Sequence, residues 1–290
     1  MNSMKYPLFL SLIATTLFAA ASEAECSRED SPPTSESPQQ PDSEDLAKQL
    51  GVSSYDPIYF ILGGDGGLNS KFQISFKYQM FREGGWFDRC LHVPSRIFLS
   101  YSQTSLWDLS ERSEPFKDSS YRPRAFYLQE FRADGSRWRF DFEGGLAHES
   151  NGKAEEDSRS LNMVYVRPSL SYYLSDRNRI YVAPSIVSYI DNAENEQVAD
   201  YRGYVDLLIG YGSGNTGNQD WNVWTTLRRG TRGQHGSVEL NVAVPFRAIT
   251  ADQMNGWLLI QYFNGYGESL IDYNRKLDSQ VRAGFAILVQ

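Results

Sequence analysis

The 290-residue chain reads as an all-β protein, a twelve-stranded antiparallel transmembrane β-barrel. Three observations predict it. From Tyr55 onward, segment after segment alternates apolar and polar residues, the period of a strand with one face in each environment. Aromatic residues make up 14% of the chain, 18 of them tyrosines. No stretch of the mature part approaches the roughly 20 apolar residues of a spanning helix. A barrel strand needs only every second residue to be apolar, so such a wall crosses a bilayer without a long hydrophobic run. A secreted soluble all-β protein shares the local pattern and is the rival from composition alone.

The elements follow in order. Lys5, the apolar run Pro7 to Ala21 and the small residues around Ala24 read as a signal peptide over 1–24. Residues 25–53 carry Pro32-Pro33, Glu36-Ser37-Pro38 and Asp42-Ser43-Glu44. Such a segment buries too little apolar surface to offset the entropy of ordering it, so an acidic disordered tail is expected. Residues 54–290 form the barrel domain. Tyr55 to Leu62 is its first strand, with Pro57 tolerated at a strand start. Phe72, Ile74, Phe76 and Tyr78 then alternate with Gln73, Ser75, Lys77 and Gln79. Further strands fall near 95–109, 121–132, 137–150, 160–174, 178–190, 199–212, 219–229, 235–246, 254–266 and 279–289. Asp134-Gly135, Ser175-Asp176 and Gly214-Asn215 punctuate them as turns. The count is even, as a bacterial single-chain barrel requires, and no helical segment or second domain is needed. The C-terminal Leu288-Val289-Gln290 lacks the aromatic residue on which such barrels commonly finish.

A net charge of −8 argues against a nucleic-acid partner. Cys26 and Cys90 are the two cysteines; in an oxidising compartment they can pair, and they do not make a zinc site.

Chemistry enters on the strand at 137–150. Trp138, Phe140, Phe142 and Leu146 share one parity, and Arg139, Asp141 and Glu143 the other. His148 and Ser150 continue the apolar parity. On the next strand Asn162 falls in line with Val164, Val166 and Leu170. All three polar residues are thus expected on the lipid-facing wall, with His148 beside Asn162. Polar groups there are costly unless they bond to one another or work. Serine needs a base to become a nucleophile. Histidine is that base near neutral pH, and an asparagine oxygen holds the imidazole in the required tautomer, as a carboxylate does in other triads.

The segment His148-Glu149-Ser150-Asn151-Gly152, followed by Ser158-Arg159-Ser160-Leu161-Asn162, resembles the signature of the outer-membrane phospholipase A family. Ser113-Glu114-Pro115-Phe116 and the run from Gly265 to Asn274 support the resemblance. It implies a calcium-dependent hydrolase of phospholipid and lysophospholipid acyl esters in the outer membrane of a Gram-negative bacterium. In that role Ser150 is the nucleophile, His148 the base and Asn162 its orienter. It further implies one Ca2+ per monomer, held by the Ser158 side chain and the Lys153 carbonyl and completed by the Ser113 carbonyl of a second copy in a homodimer. Gln103 falls on the lipid-facing parity of its strand with Ile97, Leu99, Tyr101 and Trp107. An amide there is satisfied across a two-fold interface, or by a neighbouring residue of its own barrel. The resemblance favours the interface. The functional rival is an inactive structural or pore-forming barrel.

Overall fold

The computed structural model describes residues 50–64, 67–92, 94–113, 115–191, 195–215, 218–250 and 254–287. The expected leader and most of the tail, with Cys26 and the last three residues, lie outside them. A two-residue strand, β1 (Val52–Ser53), precedes twelve long ones. These are β2 (Ile58–Gly64), β3 (Asn69–Gln79), β4 (Ile97–Asp108), β5 (Phe116–Phe131), β6 (Trp138–Ser150) and β7 (Ser160–Tyr173), followed by β8 (Asn178–Asp191), β9 (Val205–Asn215), β10 (Asn218–Arg229), β11 (Gly236–Pro245), β12 (Trp257–Gly265) and β13 (Leu277–Ile287). Each long strand pairs antiparallel with its neighbours in sequence, and β13 pairs with β2, with Phe285 opposite Phe60, so the sheet closes into a twelve-stranded barrel. Closure removes the free edges that an open sheet would expose to lipid.

The alternation seen in the sequence sorts the two faces. Phe60, Ile74, Leu99, Leu146, Val164, Leu170, Ile180, Ile209, Ile260 and Val281 are exposed on the outside. Lys71, Glu143, Glu149, Asn241, Gln261 and Arg282 are buried inside. This inside-out arrangement suits a wall solvated by lipid. No helix among the described residues is long and apolar enough to cross a membrane; the chain crosses with strands.

The lumen is filled by ion-paired side chains. Lys71 Nζ donates to Glu239, Gln261 and Glu268, and Arg282 pairs with Glu268. Glu143 accepts from Tyr55, Tyr165 and Arg167. A cavity of about 60 Å³ remains among Arg122, Arg124, Glu149, Tyr165 and Arg202, room for a few waters and not a channel.

Three expectations change. Tyr55 and Asp56 precede the first long strand and leave the wall for the lumen. The Tyr55 ring stacks on Phe126, and Asp56 accepts from Ser102 and Arg124. Their charged partners on β4 to β7 outweigh the local strand pattern. Burial alone would raise the Asp56 carboxyl, but Arg124 and Arg167 hold it down at about 2. The segment expected to be strand from 199 begins instead as a helix, Val198–Arg202, with β9 starting at Val205. Val198 and Arg202 are both buried, a spacing of four that only a helix turns to one side. Short helices therefore do occur, including Arg247–Thr250. Residues 81–95 form a unit of their own with the helix Trp86–Leu91, in which Cys90 is disulfide-bonded.

Candidate active site

Strands β6 and β7 run in uninterrupted register from Trp138 opposite Tyr172 to Ser150 opposite Ser160. That register sets His148 directly across from Asn162, and His148 Nδ1 lies 2.8 Å from Asn162 Oδ1. An amide oxygen can only accept, so Nδ1 carries the hydrogen and Nε2 is left as the basic nitrogen. Both residues, with Ser150, lie half-buried on the outer parity of their strands, in line with exposed Leu146 and Val164. On the far side of Asn162 the register of β7 with β8 shifts by one residue, Asn162 pairing with Asp191 and Met163 with Tyr189. Such irregularities re-aim side chains near functional sites. Among the described residues no hydrogen bond joins Ser150 to His148, and catalytic contacts often tighten only around substrate.

The loop between β6 and β7 is built on Asn151, a residue to which the sequence reading gave no role. It is buried, and Nδ2 donates to the Asp157 carbonyl at 2.8 Å. Its Oδ1 accepts from the amides of Arg159 at 3.0 Å and Lys153 at 3.3 Å. Gly152 follows with φ 66°, and a Cβ there would meet the Tyr121 ring at 2.9 Å. The Asn-Gly pair was legible as a turn; its burial was not. Lys153 and Ser158 share this loop, and Lys153 Nζ donates to the Lys117 carbonyl. Ser113 lies on the separate β4–β5 loop, exposed, with a left-handed backbone of φ 75°. No hydrogen bond among the described residues connects it to Lys153 or Ser158.

Gln103 accepts from the Tyr101 hydroxyl at 3.0 Å and donates to Ser105 Oγ at 3.2 Å, which in turn bonds Ser119. Its amide is satisfied within one barrel, so the cost of an unpaired amide does not by itself require a partner.

Fold and site define the class: a transmembrane β-barrel with an imidazole–amide pair and a serine on its lipid-facing wall. The family model described as phospholipase A1 matches residues 40–288. Phospholipase A1 of Escherichia coli K12 is 31% identical over 229 residues, 76% of this chain and 68% of its own length. A relative from Neisseria meningitidis serogroup B is 28% identical over 265 residues, 81% of this chain and 65% of its own length. The chain thus spans about two thirds of the length of these curated relatives. Among solved structures, outer membrane phospholipase A from Escherichia coli superposes with a TM-score of 0.63 at 25% identity, covering 81% of this chain and 91% of its own. A calcium-bound dimer of the Salmonella typhi outer membrane phospholipase gives 0.64 at 24% identity, covering 83% and 94%. This chain belongs to the phospholipase A1 family, outer-membrane β-barrels that are carboxylic ester hydrolases.

Proposed function

We propose that this chain hydrolyses acyl ester bonds of phospholipids and lysophospholipids in the outer membrane, with calcium, and as a homodimer. The observation that carries the reading is the His148–Asn162 hydrogen bond on the lipid-facing wall, with Ser150 two residues along the same face. Substrate then arrives sideways from the bilayer. His148 Nε2 takes the proton of Ser150 Oγ as the oxygen attacks the acyl carbon, while Asn162 holds the ring and leaves Nδ1 protonated. The same imidazole returns the proton to the departing lyso-lipid alcohol. It then takes a proton from the attacking water and returns it to Ser150 Oγ as the fatty acid leaves.

The loop residues fit a calcium ion. Among the described residues no group of three or more His, Cys, Asp or Glu gathers to hold a metal. Hydroxyl and carbonyl oxygens are donors that suit a hard cation, and the family resemblance assigns it oxygens of this loop. In the β6–β7 loop the carbonyls of Glu156, Asp157 and Ser158 are each occupied by a side-chain donor. Those of Lys153 and Ser113 accept no hydrogen bond among the described residues. We assign the Lys153 carbonyl and the Ser158 hydroxyl to the ion, with the Ser113 carbonyl of a second copy. When bound there, the ion would supply positive charge to offset the negative charge that ester hydrolysis develops on the carbonyl oxygen. We assign Gln103 to the interface between copies on the family resemblance.

Purified protein in detergent is expected to hydrolyse a phospholipid thioester analogue with calcium and not with chelator. Ser150→Ala is expected to lower turnover by about 10⁶-fold while the barrel keeps its heat-modifiable mobility. Calcium-independent turnover that survives Ser150→Ala overturns the reading. A passive pore is the weaker alternative, because ion pairs such as Lys71–Glu239, Arg282–Glu268 and Arg167–Glu143 occupy the lumen.

A further inference from the structure

Two clusters of charge in the lumen differ in their balance. In the first, Lys71 and Arg282 meet Glu239 and Glu268, two cations for two carboxylates. The second backs onto the candidate active site. A cavity of about 60 Å³ is lined there by Ala147, Glu149 and Met163, the inward-facing neighbours of His148, Ser150 and Asn162. Arg122, Arg124, Arg202 and Asp206 line it as well.

The charges around this cavity do not cancel. Arg124 is matched by Asp56 at 3.1 Å. Asp206 is held on both oxygens by Arg228, at 2.8 and 3.0 Å. Arg122 and Arg202 are left to share Glu149. Arg122 Nη2 stands 2.8 Å from that carboxylate, while the nitrogens of Arg202 stand back at 3.3 to 3.4 Å. Arg122 Nε is buried and meets no acceptor among the described residues. Four arginines thus surround three carboxylates, and one positive charge is over. A charge withdrawn from water is costly unless it is paired. A lysine could relieve that cost by losing its proton, but an arginine stays charged. One water needs roughly 10–15 Å³ of such space, so the cavity admits an ion of halide size together with a water or two.

We propose that this cavity binds one small monovalent anion, of the size and charge of chloride, between Arg122 and Arg202. The ion neutralises the surplus charge and completes the inner network behind the His148–Asn162 pair. Its test has two arms, both on the full-length protein in detergent with a calcium chelator present. In the first, urea unfolding is followed in sodium chloride and in sodium gluconate at one ionic strength. Gluconate is too bulky for the cavity and serves as the control for screening. Chloride is expected to stabilise saturably, raising the folded-to-unfolded ratio about tenfold at ten times its half-saturating concentration. Arg122→Gln removes the surplus charge and leaves Arg202 with Glu149 as a balanced pair. The gain from chloride is then expected to fall below about twofold. An equal gain in Arg122→Gln is a general salt effect and overturns the inference, as does a wild type that responds alike to chloride and gluconate. In the second arm, crystals grown from sodium bromide are expected to show an anomalous peak in the cavity, within hydrogen-bond reach of Arg122 and Arg202. Water alone at that position overturns the inference, whether or not Arg122→Gln folds. Bromide there without a saturable gain in stability marks an adventitious ion only, and overturns it too. Neither arm reads turnover, so the hydrolytic reading stands or falls separately.

Discussion

Strand β6 carries two unlike environments on alternate residues. Glu149 points inward and is 3% exposed, with Ser120, Arg122 and Arg202 all bonded to its carboxylate. His148 and Ser150, on either side of it, point outward. There His148 has the single side-chain bond to Asn162, and Ser150 has none among the described residues. A carboxylate that finds three donors is spent on structure; a hydroxyl and an imidazole nitrogen left open are available to a substrate. The inner face holds the strand still so that the outer face can remain incompletely satisfied, at a cost made up elsewhere.

The comparison breaks most readily at Glu149. Glu149→Gln leaves the buried Arg202 and the half-buried Arg122 without their counter-charge, and it is expected to lower the unfolding free energy by about 3 kcal/mol. Urea unfolding in micelles measures this, and a loss under about 1 kcal/mol means the inner network is not what holds the strand.

Asn162→Ala tests the outer face. It removes only an orienting contact, so kcat is expected to fall about 10²-fold, or about 2.7 kcal/mol of transition-state stabilisation. KM and the unfolding midpoint are expected to stay near wild type. A matching loss of stability would assign Asn162 to the scaffold instead.

The smallest expected effect lies at Asp56, on the lumenal segment before β2. Its folded pKa of about 2 is below the ordinary 3.8. Its stabilisation is therefore fully present above pH about 4 and is lost as pH falls through about 2. Asp56→Asn is expected to flatten the dependence of stability on pH in that window and leave turnover at neutral pH unchanged. Unfolding curves at stepped pH read it directly, and an unchanged slope would place the acid transition in another carboxylate.

Much of the wall was legible in advance, and particular residues show why. Trp138, Phe140 and Leu146 announce the outer face of β6 because successive side chains of a regular strand point to opposite faces. The same rule placed His148 and Ser150 outside. Tyr55 and Asp56 misled, since an aromatic two residues before a proline at a strand start looks like wall, while their partners Glu143, Arg167 and Arg124 are far away in sequence. Val198 to Arg202 misled in the opposite way, being too short for a helical period to stand out. Asn151 was visible only as half of an Asn-Gly turn, because its bonds to Asp157 and Arg159 depend on how the loop folds back.

Taken by itself, then, the sequence determined the period of each segment, the face on which each side chain falls and the residue types available on the outer wall at His148, Ser150 and Asn162. These follow from covalent geometry, which is local. Only the tertiary structure decided which atoms meet: His148 with Asn162 across β6 and β7, the one-residue shift beside Asn162, and the Leu270 and Ile271 amides on the Asp118 carboxylate. Register and long-range contacts are set by pairing energies summed over both faces of many strands, and no single segment carries that sum.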